Sequence, residues 1–405
     1  MSKVKQSILL LNAFSTGILF PVLSLILLER GADLKTLPLL IALYAVSALC
    51  FEIPSGICAD LCGRKTAFLL SGITKLFSLT FLLMADNMGW LVICVIFNGI
   101  SRSFSSGSLD ALIIEQAVDL EGEDCLPRIS ARLSILEAAG FAAGSILGGV
   151  ISYAAGTQGV IMIQAGFTIV VFLLCVIWIK EARRREDQSE RIPLSVHLKR
   201  GKDVVLAATD LKYILAGMFF TGFLLISIET YWQPVYLEVS SLKNSTWALG
   251  FISFLGFLMA ASGNAVSERL LLKFPLGQWK VYVICRLVLG LFLILLSLLN
   301  TGFFFVLGYA GIYLFSGSGN VAENTLINRY TPNHVRASIL SLSSFVFQAG
   351  SLSASLISSL MVERMNVKGI WILSGILLST YIVVILLRKI YRRTKKVKVE
   401  TTECC

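Results

Sequence analysis

Residues Phe51–Lys65 read FEIPSGICADLCGRK. This stretch closes one long apolar run and opens the next. Gly56, Asp60, Gly63, Arg64 and Lys65 fall in a hairpin too short to be a domain. A tight helix–helix turn needs Gly where backbones crowd or φ turns positive. Arg64 and Lys65 mark the turn as cytoplasmic, because positively charged loops stay inside. Asp60 is expected to cap the following helix and meet its positive N-terminal end.

The composition fits that reading. Of 405 residues, 56% are hydrophobic and 15% charged, against about 45–50% and about 25% in soluble domains. Apolar runs recur along the chain, each long enough for the ~20 residues of a spanning helix. They are continuous rather than alternating, which argues against a β-barrel. The run over 8–28 lacks a small-residue cleavage site and reads as a first helix, not a removed signal. The net charge of +10 sits mostly in segments assigned to the cytoplasm, so it points to topology rather than nucleic acid, with both termini inside. The expected location is the cell (plasma or inner) membrane.

Twelve helices are expected, over 7–28, 36–58, 66–85, 89–113, 130–152, 159–179, 211–237, 246–267, 280–299, 302–325, 336–360 and 369–390. The fold class is all-α membrane protein. Residues 1–180 form an N-terminal six-helix bundle and 181–209 a cytoplasmic linker with an amphipathic helix over 192–206. Residues 210–391 form a C-terminal six-helix bundle and 392–405 a basic tail suited to anionic headgroups. The halves repeat: Arg132-Leu-Ser-Ile-Leu136 matches Arg336-Ala-Ser-Ile-Leu340, Phe141 matches Phe345, and Ser55-Gly56 matches Ser262-Gly263.

The GICADLCGRK run resembles the G-x-x-x-D-x-x-G-R-K motif between helices 2 and 3 of major facilitator superfamily transporters. The resemblance implies two pseudo-symmetric six-helix bundles around a central site, as in the 12-helix drug:proton antiporter-like permeases. Gly56, Asp60, Gly63, Arg64 and Lys65 would then be a conformational latch. The second-half loop, 267–280, lacks the GRK ending.

Charges inside helices are the candidates for chemistry, because each costs about 2.5–3.5 kcal/mol at a helix centre. Arg102 shares a face with Asn98 and Ser106, and Asp110 and Glu115 continue toward the cytoplasm. RSFSSGS resembles the family's helix-4 motif, with its Gly one position late; in that family the Arg is implicated in proton coupling. Two readings stand: proton coupling through Glu52, Arg102, Asp110 or Glu137, and a structural ion pair of Arg102 with Glu52 or Glu137. GFAAGSILGG resembles the antiporter pattern g-x-x-x-G-P-x-x-G-G at Gly140, Gly144, Gly148 and Gly149, with Ser145 in place of Pro. Close helix packing explains the same glycines.

Helices 1, 4, 7 and 10 line the cavity in the superfamily. That places Asn12, Asn98, Glu229, Trp232, Gln233, Tyr309, Tyr313, Asn320 and Glu323 as candidates for the solute site. An acid among aromatics suits a lipophilic or cationic solute; the interfacial aromatic belt is the other reading of Tyr231 and Trp232. Lys75 and Arg286 have no assigned role. Both His, His197 and His334, fall in cytoplasmic segments. No phosphate-binding GKS/T loop occurs, nor a metal-ligand cluster. Cys58 and Cys62 flank Asp60 at i,i+4, not at a zinc-knuckle spacing. Cys404–Cys405 is a lipidation candidate, and Asn244 a sequon in an outside loop.

The expected function is secondary transport by alternating access: proton-coupled export of a lipophilic or cationic small solute. It is not an enzyme, uses no cofactor or metal, binds no nucleic acid, and acts as a monomer in a lipid bilayer. The alternatives are a proton-coupled uptake symporter, and a non-transporting receptor or assembly protein on the same fold.

Overall fold

A computed structural model describes residues 3–106, 108–122, 125–179, 209–240, 246–274, 277–331 and 336–403. The linker over 181–208, His197, His334, Asn244, Cys404 and Cys405 lie outside the described residues. The helices are α1 (Lys3–Leu19), a 3-10 turn (Phe20–Val22), α2 (Leu23–Glu29), α3 (Leu37–Cys62), α4 (Arg64–Met84), α5 (Met88–Ser105), α6 (Leu109–Glu121), α7 (Leu126–Trp178), α8 (Thr209–Val239), α9 (Thr246–Lys273), α10 (Gln278–Leu298), α11 (Gly302–Tyr330) and α12 (Arg336–Glu403). No strand occurs among the described residues.

Among the described residues, ten helical stretches are long and apolar enough to cross a membrane. Two of them, 128–178 and 339–389, run 51 residues each. At 1.5 Å per residue that is about 77 Å, more than twice the ~30 Å of a hydrocarbon core. Each is broken near its middle. Gly156 takes φ 69, ψ −177 and Asn366 takes φ 55, ψ 177, both outside helical space. Asn tolerates positive φ better than most residues, and the Asn366 side chain accepts from the Gly369 N–H at 3.0 Å, capping the arm that follows. Two breaks turn ten stretches into twelve crossings.

Several boundaries differ from the sequence expectation. Helix 1 is interrupted over Phe20–Val22, where Pro21 removes a backbone donor. The helix expected over 89–113 is two helices, because the Ser-rich run after Phe104 favours local turns over helix. The tail expected after 391 continues as helix to Glu403.

The α3–α4 hairpin is tighter than expected, a single residue long. Gly63, at φ 97 and ψ 153, ends α3 and begins α4. Asp60 therefore lies in the last turn of α3, three residues before Gly63, the N-cap of α4. Gly56 is exposed mid-helix with nothing within 4 Å of an added Cβ, so the expected backbone crowding is absent there.

The chain divides into two compact units, Met1–Gln188 with Thr230–Phe257, and Ser189–Glu229 with Leu258–Cys405. Within the first, α1 packs backbone to backbone on α7. A Cβ at Gly140 would sit 2.6 Å from the Leu10 carbonyl oxygen; at Gly144 and Gly148 it would collide with those of Phe14 and Ile18. Gly149 makes the same approach to Gly250 of α9. Within the second unit α8 and α12 repeat the α1–α7 pattern, with Gly222 against Phe347 and Gly350 against Phe219. Small residues permit such contact between helices in lipid, where burial alone gives no drive to associate.

Candidate functional site

The motif bases point into the first unit. Arg64 Nη2 pairs with Glu115 Oε1 of α6 at 3.2 Å, and Lys65 Nζ donates to the Val176 carbonyl of α7 at 2.9 Å. Glu115 was read from sequence only as a continuation of the α5 face; the structure makes it the partner of Arg64. At the next residue of α6, Gln116 accepts from Lys5 Nζ of α1. Together these bonds tie α1, α4, α6 and α7 at one end.

Nearby, the break between α5 and α6 gathers three of the candidate charges. Arg102 lies in the last turn of α5, where a cation meets the negative end of the helix. Asp110 lies in the first turn of α6, where an acid meets the positive end. The side chains of Asp110 and Glu137 meet within hydrogen-bond reach, and Arg102 is within electrostatic reach of both. Asp110 Oδ1 is buried without a hydrogen-bond partner, while Arg102 and Glu137 are exposed. Glu52 is exposed and forms no ion pair among the described residues. Asn98 does not join this group: it accepts from Lys75 Nζ of α4 at 2.8 Å.

In the second unit, the Tyr313 hydroxyl donates to Glu229 Oε1 across α8 and α11. The Tyr309 and Tyr313 rings lie 4.6 Å apart, and Phe305 stacks on Tyr309 at 6.4 Å. Phe305 also meets Trp371 at 6.2 Å, whose indole N–H donates to the Ser227 carbonyl at 2.9 Å. Among the described residues no Lys, Arg or His pairs with Glu229.

Asn320 and Glu323, further along α11, are held by Arg286, which has no role in the sequence reading. Arg286 of α10 is wholly buried. Its Nη2 lies 2.7 Å from Asn320 Oδ1 and 3.1 Å from Glu323 Oε2. Its Nε and Nη1 have no partner. The one signal in the sequence was a lone charge in an apolar helix; its partners are visible only after folding.

Trp232 and Gln233 are buried with the first unit, as is Tyr231. Gln233 Nε2 donates to the Phe20 carbonyl at 3.2 Å, at the break in helix 1, and the Tyr231 hydroxyl to the Leu34 carbonyl at 2.9 Å. Protein encloses both aromatics on all sides, unlike side chains of an interfacial belt. Asn12 is half-buried on α1.

The family model of the Major Facilitator Superfamily matches residues 7–321. The chain belongs to that superfamily. It is 22% identical to the MFS-type transporter YxaM of Bacillus subtilis (strain 168), over 97% of each chain. Among solved structures it is similar to the nucleoside transporter NupG, with TM-score 0.78 at 11% identity, covering 95% of this chain and 99% of that one. It is also similar to a POT family transporter in complex with 5-aminolevulinic acid, with TM-score 0.70 at 14% identity, covering 95% of each. The protein is thus a multi-pass membrane protein and a secondary transporter of a small molecule.

Proposed function

We propose that the protein exports a lipophilic, cationic small solute in exchange for protons. The observation that carries this is Glu229, an acid in a membrane-spanning helix whose bonded partner is a tyrosine hydroxyl and which no described cation neutralises. An ionisable group at such a depth is expensive and marks a functional site. Its complement is a cation brought by the solute, or a proton. The rings of Tyr309 and Tyr313 add cation–π attraction. Asp110 and Glu137 provide a second acid site, where two carboxyls in contact cannot both be ionised without cost; Arg102 tunes them. The latch role of Asp60, Arg64 and Lys65 and the rocking of two six-helix halves complete the cycle.

The test uses everted vesicles with an acidic lumen and a fluorescent lipophilic amine. The reading expects accumulation in the lumen as the pH gradient collapses, and its loss in Glu229→Gln. Solute movement down the direction of proton flow would replace export with symport. If Asp60→Asn leaves the exchange rate unchanged, the latch role is wrong.

A further inference from the structure

Cys58 and Cys62 stand four residues apart in the last turns of α3, one half-buried and one exposed. Residues at i and i+4 share a helix face, with Cβ atoms about 5–6 Å apart, and here the two thiols are in hydrogen-bond contact. A disulfide does not fit that geometry on a regular helix, since it needs Cβ atoms about 3.5–4.5 Å apart. One bridging atom does fit: two bonds of about 2.3 Å, the length of a zinc–thiolate bond, span the gap between the sulfurs. Zinc itself wants four ligands in a structural site, and no third His, Cys, Asp or Glu joins the pair among the described residues. The matching ligand takes two sulfurs and carries its own third substituent. Trivalent arsenic with an organic group has that valence, and soft thiolates select such centres.

We propose that Cys58 and Cys62 form a dithiol site for trivalent organoarsenicals at the α3–α4 turn. Binding is a condensation. Two As–S bonds form, the As–O bond of R–As=O breaks, and both thiol protons leave on that oxygen as water. Nothing is oxidised or reduced. Cys94, Cys125, Cys175 and Cys285 are buried, and exposed Cys50 is two turns away. The site does not depend on the latch or on proton coupling.

Phenylarsine oxide tests it, on the full-length protein with Cys404→Ser and Cys405→Ser removing the adjacent pair at the C-terminus. Intact-mass measurement should show one adduct that survives glutathione and is removed by dimercaprol. Cys58→Ser and Cys62→Ser should each weaken retention by about 10²-fold or more, the loss expected when a second attachment is cut. Cys50→Ser should leave it unchanged. In the unsubstituted pair, the bound arsenical should shield both Cys58 and Cys62 from maleimide in a peptide map. An adduct that persists in Cys58→Ser/Cys62→Ser, that glutathione strips from the intact pair, or that leaves either cysteine open to maleimide would overturn the proposal.

Discussion

Arg286 has one carboxylate and one amide facing it and no exposed surface. Removing one partner of a buried ion pair strands the other, at a cost of about 3–5 kcal/mol. Arg286→Met should therefore unfold more readily in detergent than the parent by that amount. Arg286→Met with Glu323→Met should recover most of the loss, because neither charge is left alone. At the loop before α3, Asp33 Oδ1 accepts from the Thr36 hydroxyl, the Thr36 N–H and the Lys35 N–H. These bonds, the Thr36 hydroxyl first, hold its carboxyl below the usual carboxylate range. With the folded pKa depressed, the stabilisation is complete above the unfolded value of about 3.9. It is lost as pH falls through the lower folded value. Asp33→Ala should lower the thermal midpoint at pH 7 and leave it nearly unchanged at the acid extreme. Residue type alone marked Glu229, Asp110 and Glu137 as out of place in apolar helices. It paired Arg102 with Glu137, but it did not pair Tyr313 with Glu229, since Tyr313 was one polar residue among many until α8 and α11 met.

Helix ends in this chain are decided by single backbone positions. Gly63 occupies a φ/ψ region that is essentially glycine-only, so Gly63→Ala should cost on the order of 1–3 kcal/mol. Gly56, in the same motif, is helical with open space around it. Gly56→Ala should be neutral or stabilising by up to about 1 kcal/mol, the propensity gain of Ala over Gly. Comparing the two by thermal denaturation separates a turn that needs glycine from a helix position that tolerates it. The apolar period made the helices plain in the sequence, and the GRK run placed the hairpin. The break between α5 and α6 was not plain, because Ser105, Ser106, Gly107 and Ser108 in sequence are compatible with either a helix or a turn. Glycines 140, 144 and 148 carried a packing signal that needs the α1 backbone opposite before it has a meaning.

For the whole molecule, twelve crossings follow from ten apolar stretches and the breaks at Gly156 and Asn366. That architecture is written in hydropathy and survives low identity, as the TM-score of 0.78 at 11% identity to NupG illustrates. Solute and direction are not written there, because one fold serves many solutes; the proposed function assigns that choice to the side chains around Glu229. The most direct measurement puts purified protein into liposomes with a trapped pH dye and adds a lipophilic quaternary ammonium outside. Proton exchange through Glu229 predicts that the lumen becomes alkaline as the cation enters, and that Glu229→Gln abolishes the signal. A lumen that turns acid, or a signal that persists undiminished in Glu229→Gln, would contradict it.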